Sequence, residues 1–502
     1  MSGKLYPFSV HAPGSNGLNR QLAASLLGTE WATEAINCVI DDNGRLASRK
    51  GWTKTTTTPL AGTPRIKKIY EYISNAGVIT VVSAANSKLY TGTTTLTDVT
   101  GACTITDNNW KFQNFNNKLI GWQAGHTPVV YTGTGNFAHI TAGAGTLPTG
   151  HTCLSAFGRV WAVSSSTDKT TLKYSDLLSE TTWSGGSSGA IDLKTVWPSG
   201  QDEIVALAEF NNYLVIFGIR SIIVYGGADD PTTMAVTDLI AGVGCVSRDT
   251  VVNIGTDLLF LSDSGVRLLS RTMEQPTMPL GDLSRNVRDY LLSFKAGETL
   301  ATIEGCYHEP EGFYLLNMPD NGYTFVFDLR FPNQDGTSKV TIWRNIAPTA
   351  LCSSRNRVLY LGEAGVIGTY AGYDDNDVDY SVIFRSGWTV VNEQIMSYLK
   401  FPKKAIGTFI GYAGATIDWK WAYDYDDNYT TSSTTLTDTL TLSEYGIAEY
   451  GIAEYSGGAN YLVARTNPFG SGSVIKFGYN ATISGAKLSL QKLDLLMKIG
   501  RI

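Results

Sequence analysis

A short hairpin theme returns seven times along the first three-quarters of this chain, and its spacing limits the available folds more than any other feature. Each copy is an apolar strand, a turn, and a second strand that closes near an aromatic residue. The first copies are Val78-Ile-Thr-Val-Val82 with Lys88-Leu-Tyr-Thr-Gly92, and Asn116-Asn-Lys-Leu-Ile120 with Val129-Val-Tyr-Thr-Gly133. Gly158-Arg-Val-Trp-Ala-Val163 leads to Leu172-Lys-Tyr-Ser-Asp176, and Asn211-Asn-Tyr-Leu-Val-Ile-Phe217 leads to Ile222-Ile-Val-Tyr-Gly226. Leu258 to Ser262 turns through Asp263-Ser-Gly265 into Val266 to Leu269, and Phe313 to Asn317 turns through Asp320-Asn-Gly322 into Tyr323 to Phe327. Val358 to Gly362 runs into Val366 to Tyr370. Glycine in these turns supplies the positive φ that tight hairpin loops require.

Successive apolar strands begin about 40 to 55 residues apart, the length of one four-stranded propeller blade. A lone blade cannot cover both of its faces, whereas radial stacking covers them and leaves only short edges. The expected fold is therefore all-β: a β-propeller of six or seven blades, the count depending on whether a terminal strand completes the ring. Composition agrees, with 52 Gly, 26 Tyr and 11 Trp but only 17% charged residues in 502, the signature of many strands and tight turns.

A helix is expected after Asp282 or Ser284, either able to cap it, with Leu283, Val287, Tyr290 and Leu291 on one face and Gly297 at its end. Beyond Tyr370 the pattern changes. The turn-rich run Gly372 to Asp377 marks a boundary, after which Ile417, Trp419, Trp421 and Tyr423 alternate with Asp418, Lys420 and Ala422, a half-buried strand. Ile475, Phe477 and Tyr479 repeat the alternation, and the phase slip from Leu488 and Leu490 to Leu493 and Leu495 predicts a bulge. The expected organisation is an N-terminal arm with first strands (1–60), a propeller (61–372) and a C-terminal β-sandwich (373–502). A tandem pentad, Glu444-Tyr-Gly-Ile-Ala repeated from Glu449 and begun again at Glu454, reads as a surface loop or extended hairpin of that sandwich.

The net charge is −6, whereas proteins that grip nucleic acid carry a basic excess, so tight DNA binding is disfavoured. Cys38, Cys103, Cys153, Cys245, Cys306 and Cys352 are scattered without a CxxC pair and are expected to be free, mostly buried thiols. Met1 to Val10 lacks the apolar run of a signal peptide, and no stretch of 18 apolar residues predicts a membrane span.

Catalytic chemistry finds no complete motif. Ser262-Asp-Ser-Gly265, and Ser175-Asp176 with Thr182-Trp183, fall short of the sialidase-type box and are explained as turns. Asp375, Asp377 and Asp379 alternate as in calcium loops, but Tyr380 and Ser386 stand where an EF-hand needs Gly and Glu. They read as a solvated turn, as do Asp424, Asp426 and Asp427. His11, His126, His139, His151 and His308 form no HExxH pair or zinc cluster. Nucleophile-elbow, P-loop and dinucleotide fingerprints are missing too. Paired glycosidase carboxylates stay open, because they meet only in space. The expectation is no catalytic, cofactor-binding or metal residues and no cofactor.

Several segments resemble the podovirus tail nozzle family, which includes tail tubular protein B and the packaged-DNA stabilisation (tail hub) proteins. The resemblance rests on Gly17-Leu-Asn19, Glu34-Ala-Ile-Asn-Cys38, Gly44-Arg-Leu46 and Arg49-Lys-Gly51-Trp52. Further matches are Phe210 to Gly218, Leu261 to Leu268, Pro279 to Ser284, and the acidic turn Asp374 to Asp377 followed by strands ending at Trp388. The resemblance implies a non-enzymatic virion tail subunit, made in the host bacterial cytoplasm. It implies a hexameric ring below the portal and its adaptor, tail tubular protein A, forming the DNA-exit channel and docking tail fibres or a needle. Double-stranded DNA would pass without specific binding, favoured by an acidic lumen that repels phosphates; a lumen lined with Lys and Arg would contradict this. Two alternatives remain open, a propeller-type glycan hydrolase of a phage particle and a propeller interaction scaffold.

Overall fold

The computed structural model describes residues 5–106, 109–198, 200–274, 282–346, 348–391, 397–438 and 461–500. The pentad repeat from Glu444, and Pro279 to Gly281, lie outside them.

Each of the seven hairpins forms the middle of a blade. The first four blades are antiparallel four-stranded sheets, opening with Ile66–Ile73, Lys111–Phe115, Cys153–Ala156 and Ile204–Phe210. The fifth has three strands among the described residues, Val252–Asn253, Leu258–Ser262 and Gly265–Leu268, behind the 3-10 turn Arg248–Thr250. The sixth opens with Glu304–His308, and the seventh with Ala350–Ser353. The outer strand of the seventh blade is Trp52–Lys54, from before the first blade, paired through Tyr370↔Trp52 and Gly368↔Lys54. First and last blades then pack together, and the ring of seven closes.

Alternation at period two explains why these strands read as unbroken apolar runs. In the fifth blade Leu258 and Phe260 face the fourth, while Leu259 and Leu261 face the sixth. Val81 packs toward the seventh blade and its neighbour Val82 toward the second. One apolar cluster fills each junction between adjacent blades. The turns follow the same local logic: Asn116 and Asn117 at φ 45° and 59°, and Asn211 and Asn212 at 48° and 64°, adopt the left-handed pair of a two-residue hairpin loop, which asparagine tolerates best after glycine.

The helix forms over Arg288–Ala296, a turn later than the capping signal suggested. Asp282 instead accepts from Ser284 N and Oγ at 2.8 and 2.6 Å and pairs with Arg288 at 2.7 Å. Leu283, Val287 and Leu291 are buried against the sixth blade, with Tyr290 and Phe294 edge-on to Phe325.

The C-terminal part is a sandwich of two sheets. One contains Tyr6–His11, Cys38–Ile40, Leu46–Ser48, Leu399–Ile410, Tyr461–Thr466 and Ser489–Gly500. The other is continuous with the propeller: Ala32–Ile36 pairs with the outer strand Lys339–Trp343 of the sixth blade and, on its far side, with Tyr380–Thr389. Ile417, Trp419, Trp421, Ile475, Phe477 and Tyr479 fill the space between the sheets. The predicted bulge is present, because Lys492 pairs with Thr408 and Leu490 with Phe409, leaving Gln491 as the extra residue.

Propeller and sandwich are locked where the arm passes between them. Arg49, fully buried, donates to both oxygens of Asp375 at 2.8 and 2.7 Å and lies 4.0 Å over the Tyr380 ring. Its Nε donates to Asn37 Oδ1 at 3.1 Å, which also accepts from Arg344 N at 2.8 Å. Asn37 Nδ2 donates to Ser381 O at 2.9 Å. The solvated-turn reading of Asp375 is therefore corrected: its side chain is 9% exposed, held by a cation from the arm. At Gly51 a Cβ would meet Asp374 O at 1.6 Å, so no other residue fits without moving the backbone.

Arg49→Met strands the Asp375 carboxylate among buried partners. It should cost about 3–5 kcal/mol, the usual penalty for halving a buried pair. Urea unfolding of wild type and variant measures this, and a loss below about 1 kcal/mol, a surface-pair value, would refute the assigned role.

Candidate functional site on the propeller axis

In every blade the inner strand begins at the same face of the ring, and the side chains at those starts meet where no further strand can cover them. Asp249, in the 3-10 turn of the fifth blade, is the centre. Its Oδ2 accepts from Arg248 Nε at 3.0 Å and Nη2 at 2.6 Å. Its Oδ1 lies 3.3 Å from Lys68 Nζ of the first blade and 3.4 Å from Lys111 Nζ of the second. Lys68 also binds Glu304 of the sixth blade, whose other oxygen accepts from Leu351 N of the seventh at 2.9 Å. Arg248 donates further to Asn109 Oδ1 at 2.7 Å and to His151 O of the third blade. His151 Nε2 lies 3.1 Å from Val205 O of the fourth. One polar network therefore touches all seven blades.

Burial opposes ionisation of Asp249, but Arg248, Lys68 and Lys111 outweigh it and hold its carboxyl well below the ordinary carboxylate range. Burial raises Glu304, with Lys68 offsetting part of the effect. Lys68 is penalised by burial yet raised overall by Asp249 and Glu304. Lys111 is lowered, by burial first, with Lys68 and Arg248 adding like-charge repulsion. Burial and Arg248 push His151 down to about 4.

Two cavities open at this face and share Asn109, Asp249 and Ala301. The smaller, about 200 Å³, is lined by Arg65, Lys67, Lys68 and Glu304 among others. The larger, about 470 Å³, runs beside His151 and Arg248 between apolar walls that include Val205, Ile219, Val246 and Leu300. Such an arrangement can hold charge and exclude bulk water.

Of the residues weighed in the sequence, His151, Cys245 and Asp263 line the larger cavity, and the rest lie elsewhere. Ser262 donates to Gly265 O within its hairpin, and Asp263 at the turn pairs with Lys295 at 3.0 Å. Asp176 accepts from Leu177 N and Ser187, while Trp183 is buried between the second and third blades. Asp377 and Asp379 are exposed. Asp424 accepts from Ser473 N and Oγ, and Asp427 pairs with Lys476. His11 is exposed, His126 lies 2.8 Å from Thr106, His139 accepts from Thr104 N, and His308 is buried beside Ser353. All six cysteines are free thiols, five buried and Cys352 half-buried; burial pushes Cys245 up to about 11. Among the described residues no cluster of three His, Cys, Asp or Glu could hold a metal ion, and no helix is long and apolar enough to cross a membrane. The axial cluster carried no motif, since apart from the adjacent Arg248 and Asp249 its members are single residues on separate blades.

No protein-family model matches the chain, and no curated protein matches it. Among solved structures it is similar to the WD40 β-propeller domain of Doa1, with TM-score 0.37 and 12% identity over 64% of this chain and 96% of that one. It is likewise similar to the WD40 domain of Pan2 from Neurospora crassa, with TM-score 0.36 and 11% identity over 64% and 95%. The propeller assignment itself follows from the blade topology described above.

His151 and His308 both have folded values of about 4 against 6.5 when unfolded. Lowered bases bind protons more readily in the unfolded chain, so each contributes stability above pH 6.5 that is lost as pH falls toward 4. Glu304 and Glu363, both raised by burial, act in the opposite sense. The pH slope of unfolding free energy should therefore be positive between 4 and 6.5, and His308→Gln should flatten it by about one proton. An unchanged slope would show that His308 titrates normally.

Proposed function

We propose that the chain is a structural, non-enzymatic subunit of the tail nozzle or hub of a short-tailed bacteriophage. One observation carries the reading: several segments that resemble that family are the ones that bind propeller to sandwich. Gly17 bridges to Val340 of the sixth blade, where a Cβ would meet the backbone at 2.7 Å. Glu34 to Cys38 includes the strand shared by both parts and the hub residue Asn37. Arg49, Gly51 and Trp52 supply the buried ion pair, the close approach and the closing strand. These residue types are used for rigidity, which a conduit under internal pressure requires.

In this reading six copies form a ring below the portal and its adaptor, tail tubular protein A, and carry tail fibres or a needle. Duplex DNA passes between subunits rather than through any one of them, since each propeller axis is crossed by the Asp249 network. The localisation is the virion tail. Ring faces would have to bury upwards of about 2,000 Å², as obligate interfaces do.

Negative-stain electron microscopy and mass photometry of the purified chain, alone and with the adaptor of the same phage, test the reading. The expected result is a sixfold ring and labelling of virion tails by antibodies to the chain. Monomers that ignore the adaptor, together with unlabelled virions, would overturn it.

A further inference from the structure

We propose that the smaller axial cavity is a binding site for a phosphate-class oxyanion. Five cations, Arg65, Lys67, Lys68, Lys111 and Arg248, line it or stand directly behind its wall. Four carboxylates answer them: Asp249, Glu304, Asp320, which pairs with Arg65 at 2.8 Å, and Glu298, which accepts from Asp320 N and Thr302 behind the wall. A positive excess of this kind is notable in a chain whose net charge is −6.

The shortfall has an address. Asp249 is divided among three cations, and it alone faces the Lys111 amine among the described residues, at 3.4 Å. Lys67, exposed at the rim, has no carboxylate partner among the described residues. Uncompensated charge in a poorly solvated interior is costly, and a bound anion removes that cost while gaining from the low local dielectric. Lys67 and Lys68 line the cavity, and an ammonium group carries three hydrogen-bond donors. A cation is the wrong occupant, because Asp249 and Glu304 are already committed to Arg248, Lys68 and Leu351 N. About 200 Å³ admits one oxyanion and no length of polymer backbone. Such a site is independent of any place in a phage tail.

Titration calorimetry of the full chain with inorganic phosphate, at ionic strength held constant with sodium chloride, tests the proposal. One site is expected. Lys67→Met, a rim change that leaves the fold alone, should weaken binding by about tenfold or more, the worth of one charge-assisted hydrogen bond. Glu304→Gln should tighten binding, because it removes a repelling charge while its amide oxygen can still accept from Leu351 N; damage to the fold would move affinity the other way. Absence of phosphate binding, wild-type affinity in Lys67→Met, or displacement of phosphate by a short DNA duplex would each overturn the proposal.

Discussion

Every blade of this protein has two apolar faces, and that constraint governs the rest of the structure. A sheet with one wet face can stop anywhere; a sheet such as Leu258–Ser262 with its neighbours, buried on both sides, needs a partner on each. Seven such sheets reach mutual coverage only by closing. Closure places the first and last blades in contact, where Ile66, Ile69 and Val81 meet Ala350 and Ile367. It also leaves the seventh blade one strand short, which Trp52–Lys54 supplies. The N-terminal arm is thus part of the ring's closure and not an appendage to it.

Since the same arm enters the sandwich, closure of one part and attachment of the other are a single event. Ala32–Ile36 extends the sixth blade outward until it becomes a sheet of the sandwich. Arg49 then sits where three pieces of chain converge: the arm, the end of the sixth blade at Arg344, and Asp375 with Tyr380 beyond the propeller. The guanidinium serves both carboxylate oxygens, a side-chain amide and backbone carbonyls. That many hydrogen bonds offset the desolvation of a fully buried cation.

The middle strands of each blade were legible in the sequence because burial on two faces makes them continuous apolar runs with turn residues between. Their inner and outer partners were not. Thr97–Asp98 and Ala138–His139 are two residues long and largely polar, while Gly189–Asp192 faces solvent. The alternation through Trp419 and Tyr479 and the slip before Leu493 revealed strands and a bulge in the sandwich, because large apolar residues recur there at every second position. The sharing of Ala32–Ile36 between two sheets left no trace, since pairing across about 350 positions has no local signature. Asp375 was misread for the same reason: an acidic residue in a turn looks solvated until a distant arginine arrives. The axial site was invisible outright. Lys68, Lys111, Arg248, Asp249 and Glu304 stand at unremarkable positions, and only their common place at the start of an inner strand brings them together.

The two buried charge systems are built differently, and the difference has consequences. Around Arg49 one cation meets one carboxylate, with neutral groups completing the shell, so the pair is self-sufficient and can serve as a rivet. On the axis Asp249 is divided among three cations from three blades. The bonds to Lys68 and Lys111 tie the first and second blades to the fifth, so the shared carboxylate helps hold the ring together. Sharing, however, leaves three cations, Lys68, Lys111 and Arg248, against two carboxylates, Asp249 and Glu304, an excess of one positive charge. Ring cohesion is thus achieved by an arrangement that leaves positive charge unanswered at the mouth of the axis. The overall acidity of the surface does nothing to relieve it, since screening by water and salt confines those exposed charges to their own neighbourhoods. A network that binds all seven blades therefore also creates the electrostatic demand that a small counter-anion would meet.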